Sequence, residues 1–146
     1  MGTSYVEFID KGYWAHDVFL EGLSYLLARE FKKLKVKQKW QTELIGKWND
    51  AATLDYVGCV PSYFDNFDTH DKVQLLRQTL IHIQEQLTVN PNFLSVAELN
   101  ENSVGQGGWI ELNLNRFLNI TRLTLDLIDG QLKTNASSPI DYWSVD

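Results

Sequence analysis

The sequence predicts a mainly α-helical protein: a single-domain bundle of about four helices with long loops, over residues 1–146. Apolar side chains recur at helical spacing in four separate stretches, and only the first few residues carry a pattern that suits a strand. A chain of 146 residues is long enough to bury a core of its own. We find no internal repeat and no low-complexity tract, so we expect one domain.

Each helix is placed by its apolar face and by the residues at its ends. Residues 5–10 suit either a short strand or an extended lead-in, and Asp17 is a candidate N-cap for the first helix. Thr69 is the candidate N-cap of the third helix, which the Asn90-Pro91 pair ends. One helical turn is expected around residues 94–99. The predicted helices cover residues 15–34, 38–54, 70–87 and 111–132, and the long loops cover residues 55–69 and 88–110.

The fourth predicted helix, residues 111–132, has the broadest apolar surface. At 100° per residue, its apolar side chains cover about two-thirds of the helix circumference. Gly130 is its expected C-terminal stop. Because such a helix fits between several neighbours, we expect it at the centre of the bundle. Its remaining polar stripe consists of Asn115, Asn119, Arg122, Asp126 and Asp129.

The charge balance permits a basic protein partner. Thirteen Lys and Arg residues against nineteen Asp and Glu residues give a net charge of −6. This balance argues against nucleic acid as the main partner, because binding phosphates needs a positive surface. The charge is also uneven: residues 1–47 carry eight basic and six acidic side chains, whereas residues 48–146 carry five basic and thirteen acidic ones. An acidic surface attracts a basic protein.

No motif supports catalysis, a cofactor or a resident metal. Cys59 is the only cysteine, so neither an internal disulfide nor a thiolate metal cluster can form. The acidic cluster at residues 65–71 lacks the spacing of a calcium-binding loop. The glycines of residues 105–109 lack the preceding strand that a phosphate-binding loop requires. We therefore expect a protein that is not an enzyme and that holds no cofactor and no metal.

The sequence predicts a cytoplasmic protein. The first residues lack the basic region and long apolar run of a signal peptide. No apolar run approaches the length of about 18 residues that a membrane span needs. We therefore expect neither export nor insertion into a membrane.

The candidate partner-binding residues surround an acidic loop that carries aromatic side chains. Aromatic residues beside carboxylates are good anchors for a protein partner. In the alternative interpretation, Phe64 and Phe67 plug the loop into the core. The predicted contact residues are Tyr63, Phe64, Asp65, Phe67, Asp68 and Asp71, with Glu98 and Glu101 as contributors from a second loop.

Three segments within residues 1–60 share a pattern with a known class of proteins. They are GYWAHDVFLEGLSYLL at 12–27, W-x7-W-x2-AA from Trp40 to Ala52, and GCV at 58–60. This pattern resembles small helical immunity proteins of bacterial toxin–immunity systems, including those of contact-dependent growth inhibition. The resemblance carries no catalytic or binding residue across. It implies a cytoplasmic, non-enzymatic toxin inhibitor that binds one cognate toxin domain, often a nuclease with a basic cleft, and blocks it by occlusion.

Two other functions remain open. The chain could be an adaptor or regulatory protein that binds a host protein through the polar stripe of the fourth helix. It could also be a small enzyme whose pocket no motif marks. Neither the stoichiometry nor the oligomeric state follows from the sequence.

Overall fold

The structure, a computed structural model, describes residues 2–9, 11–35, 38–53 and 67–132. It confirms the mainly α-helical class, with a short N-terminal sheet. Within the described ranges, no helix is long and apolar enough to cross a membrane. The elements in these ranges are β1 (Thr3–Phe8), β2 (Lys11–His16), α1 (Asp17–Lys32), α2 (Lys39–Thr53), α3 (His70–Val89), α4 (Val96–Glu101), a 3-10 helix (Val104–Gly107) and α5 (Leu114–Ile128).

The N-terminal sheet is an antiparallel hairpin in which Val6 of β1 lies opposite Tyr13 of β2. The sequence predicts at most the first of these two strands. In β2, neighbouring residues on both faces are buried, Gly12 with Tyr13 and Ala15 with His16. The alternation of apolar and polar residues that marks a half-buried strand is therefore absent, and β2 escapes prediction.

A buried hydrogen bond fastens this hairpin to α5. The Tyr13 side chain is fully buried, and its hydroxyl lies 2.7 Å from the Thr124 hydroxyl. The Thr124 hydroxyl donates its own proton to the carbonyl oxygen of Ile120 at 2.8 Å. Because a hydroxyl has a single proton to donate, Tyr13 is the donor and Thr124 the acceptor.

Replacing Tyr13 with phenylalanine should lower the free energy of unfolding by about 1 kcal/mol, because it removes one buried hydrogen bond and keeps the ring. Denaturation in urea would measure the loss. Tyr5→Phe, a change at a half-buried position in the same hairpin, is the matched control and should cost less than about 0.5 kcal/mol. Equal stability of Tyr13→Phe and the unchanged protein would contradict a contribution from this bond.

Helix α1 holds the central position in the bundle. It packs against α2, α3, α5, the 3-10 helix and β2. Helix α5 contacts α3, α1 and the hairpin, so it meets more than one neighbour, as its broad apolar surface predicts. The expectation that this helix lies at the centre is nevertheless wrong. The fully buried apolar residues of α1 are Leu20, Leu23, Leu26, Leu27, Ala28 and Phe31.

The helix ends follow local signals in most cases. The Thr69 hydroxyl accepts a hydrogen bond from the Lys72 amide, which confirms the predicted N-cap of α3. Gly130 adopts a φ of 71° just after α5, which confirms the predicted stop. The prediction for Asp17 is wrong: Asp17 is the first residue of α1 rather than its cap. Its carboxylate instead accepts a hydrogen bond from the Ser4 hydroxyl at 2.6 Å and so ties β1 to the start of α1.

Candidate functional site

Two of the predicted contact residues lie at the start of α3. Asp68 and Asp71 are both exposed. The Lys72 ammonium donates a hydrogen bond to the Asp68 carboxylate at 3.1 Å, which lowers the pKa of Asp68 below its ordinary value. Lys72 also lies 5.2 Å from the centre of the Trp40 ring. The start of α3 therefore presents two carboxylates to solvent, one of them partly neutralised by its own chain.

Phe67, another predicted contact residue, is part of the core. It is 4% exposed, stacks on Trp48 at 6.2 Å between ring centres and meets the Trp40 ring edge-on at 5.8 Å. This position is the one that the alternative interpretation predicts for Phe67. Its ring anchors the start of α3 on α2 and is not offered to a partner.

Three further predicted contact residues, Tyr63, Phe64 and Asp65, lie outside the described residues. They remain predictions from the sequence. Their distance from Asp68 along the chain is at most five residues, so the start of α3 is the described part of the surface to which they connect.

Glu98 lies in a group of charged residues that joins α4 to α1. Its carboxylate accepts hydrogen bonds from the Tyr25 hydroxyl at 2.6 Å and from the Arg29 guanidinium at 2.7 Å. Arg29 also donates to the carbonyl oxygen of Phe93 at 2.8 Å. Glu101, at the end of α4, is exposed. Glu98 is therefore engaged within the chain, whereas Glu101 faces solvent.

Arg29 extends these contacts to Glu30, whose side chain is only 5% exposed. Lys33 lies 2.8 Å from the same carboxylate oxygen that Arg29 binds, and His82 lies 3.2 Å from the other oxygen. Burial raises the pKa of Glu30, but hydrogen bonds from Lys33 and Arg29 outweigh burial and hold this pKa below its ordinary value. Glu30 is thus ionised at neutral pH. We call Tyr25, Arg29, Glu30, Lys33, His82 and Glu98 the Arg29 network.

The described contact residues therefore form two acidic groups at different positions along α3. Asp68 and Asp71 lie at its start, whereas Glu98 connects through the Arg29 network to His82. At 1.5 Å per residue, Asp71 and His82 are about 16 Å apart along the helix axis. A protein interface that buries about 800 Å² on each partner is roughly 30 Å across, so one partner could reach both groups.

The structure also contains a cleft of about 530 Å³ that the sequence does not reveal. It lies between the start of α1, the 104–113 segment and the first turn of α5. Its volume is in the range of sites that bind small molecules. The apolar lining includes Val18, Phe19, Trp109 and Ile110, and the polar lining includes His16, Glu111, Asn113 and Arg116.

Trp109 is held firmly in the wall of this cleft. Its backbone amide donates to the Asn100 side-chain oxygen at 3.0 Å, and the Asn100 amide group donates to the Trp109 carbonyl at 2.9 Å. The indole N–H donates to the carbonyl oxygen of Val104 at 2.9 Å. The ring then lies 6.1 Å from Phe19 and 5.7 Å from Phe117, measured between ring centres. Hydrogen bonds to both its backbone and its indole ring therefore hold Trp109 in place.

An arginine and a histidine side chain also line the cleft. The Arg116 guanidinium lies 5.6 Å from the centre of the Phe19 ring. His16 is 5% exposed, and burial lowers its pKa below the ordinary value. At neutral pH the imidazole is therefore uncharged, while Arg116 carries a full positive charge.

The glycines of residues 105–109 belong to this cleft, and in the sequence they lack the preceding strand that a phosphate-binding loop requires. In the structure, the backbone at and just before these glycines has positive φ values, 56° at Ser103 and 67° at Gln106. The opposite wall comes from His16 and Phe19, far away in the sequence. The packing of α1 against the 3-10 helix and α5 brings the two walls together.

The described residues contain no group of three or more His, Cys, Asp or Glu side chains arranged to hold a metal ion. Comparisons with protein-family models, curated proteins and solved structures find no match for this chain. The geometry of the two acidic groups and of the cleft is therefore the basis for a functional proposal.

Proposed function

We propose that this protein is an immunity protein, which binds a basic toxin domain through its acidic surface and blocks it by occlusion without catalysing a reaction. The observation that supports this most directly is the charge of residues 67–132. They carry eight acidic and four basic side chains. Such an excess attracts a basic partner and speeds its association.

The four basic residues of this part of the chain balance only half of its eight acidic side chains, and one of the four, Arg122, is exposed and bonded to Asn119. Lys72 is bonded to Asp68, and the Arg77 guanidinium donates to the Asp129 carboxylate at 3.0 Å. Arg116 lies in the cleft. The acidic residues that are exposed here include Asp71, Glu85, Glu101 and Glu111. A negative potential therefore extends beyond the individual ion pairs.

Occlusion needs only a surface of sufficient size and the right charge. A basic toxin cleft that binds phosphates would also bind a set of fixed carboxylates. Asp68 and Asp71 are suited to this because the buried ring of Phe67 anchors the backbone directly before them on α2. Fixed charges lose less conformational freedom on binding, which favours affinity. A bound protein of this size would then exclude the substrate of the toxin.

The adaptor function has less support from the polar stripe of α5. Asn119 is only 7% exposed, and its side-chain oxygen accepts a hydrogen bond from Arg122. One member of the stripe is therefore buried and a second is engaged with it. The stripe offers fewer groups to a partner than its sequence pattern indicates.

The proposal is tested by capturing the partner and then reversing the charge at the start of α3. The tagged protein would be purified from its native host, and the captured partner identified by mass spectrometry. For the double variant Asp68→Lys with Asp71→Lys, we expect slower association, faster dissociation and at least about ten-fold weaker binding. Surface plasmon resonance would measure both rates.

The matched control is Glu7→Lys with Glu43→Lys, two exposed positions on β1 and α2 that lie outside the acidic surface of residues 67–132. It changes the net charge by the same amount, so it reproduces any long-range effect of charge alone. We expect less than about a three-fold change in affinity for this control. Equal affinities of the two double variants would remove the start of α3 from the binding surface, and capture of a partner without toxic activity would contradict the immunity function.

A further inference from the structure

We infer that the cleft between α1 and α5 binds a small molecule with a flat apolar body and one anionic group, such as an aromatic carboxylate. This site is separate from the acidic surface, and the inference does not depend on the proposed immunity function. It is supported by the shape of the cleft, by its fixed aromatic wall and by the position of Arg116.

The size and lining of the cleft suit a flat ligand. Its volume of about 530 Å³ would enclose most of a one- or two-ring molecule. The aromatic rings of Phe19 and Trp109 line it from opposite sides, and Ile110, which is 93% exposed, lies at the rim. A ligand with an apolar body would cover part of this exposed surface and remove it from water.

The cleft is preformed. Three hydrogen bonds fix Trp109, and Ser103 and Gln106 hold left-handed backbone conformations that cost about 1 kcal/mol or more each. Such conformations persist only where the surrounding structure enforces them. A site that is already shaped loses little entropy when a ligand enters, so even a small molecule can bind measurably.

The charges in the cleft favour an anion over a cation. Arg116 is partly buried, so water screens its positive charge less than it screens the negative charge of the exposed Glu111. Its guanidinium also lies against Phe19, where a cationic ligand would otherwise stack. A guanidinium has five N–H donors, so one that contacts the protein can still donate to a ligand. His16, uncharged at neutral pH, adds a polar ring without repelling either charge.

Three probes with the same ring and different charges test this inference: indole-3-acetate, indole-3-acetamide and tryptamine. Each is titrated into ¹⁵N-labelled full-length protein, and the indole N–H signal of Trp109, assigned with Trp109→Phe, reports on the cleft. We expect indole-3-acetate to shift this signal with a Kd of about 1 mM or tighter. The neutral amide and the cationic amine should each bind at least about ten-fold more weakly.

Two arginine variants on α5 separate the role of Arg116 from a general effect of charge. Arg116→Met should weaken indole-3-acetate binding at least about ten-fold, whereas Arg122→Met, at an exposed position on the same helix, should leave it unchanged. Thermal unfolding would show whether both variants fold. If Arg116→Met does not fold, Arg116→Lys, which keeps the positive charge, takes its place. No saturable shift at Trp109 from any probe would overturn the site. Three results would overturn the preference of the site for an anionic ligand: equal binding of all three probes, tightest binding of tryptamine, or unchanged binding by Arg116→Met.

Discussion

Replacing Gly22 with alanine is expected to destabilise the protein by about 2–3 kcal/mol, although the same change in most helices is stabilising. A Cβ atom at Gly22 would lie 2.5 Å from Cε1 and 2.7 Å from Cζ of Phe117. The Phe117 ring is only 1% exposed and is packed against Phe19 and Trp109, so it can move only if these neighbours shift. The added methyl group would therefore push α1 and α5 apart.

Gly46 of α2 provides the matched control, because a Cβ atom there would have nothing within 4 Å. Gly46→Ala is expected to stabilise the protein by about 0.5–1 kcal/mol, since alanine has the higher helix propensity. Urea denaturation would measure both changes. Phe117→Leu, combined with Gly22→Ala in a double-mutant cycle, should recover at least about 1 kcal/mol of the loss. A Gly22→Ala protein as stable as the original would contradict the close approach of the two helices.

The second large effect is expected for Arg29→Met, which should lower the free energy of unfolding by about 3 kcal/mol. Arg29 lies between the carboxylates of Glu30 and Glu98, and its side chain is only 18% exposed. Methionine keeps most of the apolar stem but removes the charge. Two carboxylates that are largely shielded from water would then lose their shared partner, which costs more than the pair itself contributes.

Lys33→Met is the control for this variant. Lys33 also contacts Glu30, at 2.8 Å, but its side chain is 62% exposed, so its loss should cost less than about 1 kcal/mol. The pKa of Glu30 is held below its ordinary value of 4.5. Its contribution to stability is therefore present above that value and is lost as the pH falls through the lower pKa of the folded state. The difference between Arg29→Met and the original protein should narrow as the pH is lowered from neutral to about 2, and equal losses from both variants would contradict the central role of Arg29.

The parts of the fold that the sequence predicts well are those set by local chemistry. The N-cap at Thr69 requires only a hydroxyl group three residues before the amide that it binds. The stop at Gly130 requires only a residue that tolerates a positive φ. Helix α5 begins later than its apolar pattern indicates because the Asn113 side chain accepts a hydrogen bond from the Arg116 amide and caps the helix there. Leu114 counts as part of the apolar surface in the sequence pattern, but in the structure it is 38% exposed.

The parts that escape prediction depend on packing between distant segments. The cleft needs His16 and Phe19 on one side and Trp109 on the other, and no periodicity in the sequence relates them. In the same way, nothing local distinguishes Phe67, which is buried, from an aromatic residue that would contact a partner. The sequence indicates only the charge of Glu98, and the structure reveals that Tyr25 and Arg29 bind its carboxylate.

The anchoring of Phe67 between Trp40 and Trp48 has a consequence for the connection between α2 and α3. Thr53 ends α2 and Phe67 returns the chain to the same helix, so the helical scaffold is fastened on both sides of residues 54–66. The two ends of this connection are therefore held at defined points on α2, and lengthening a connection between fixed points adds little to the conformational entropy that closing it costs.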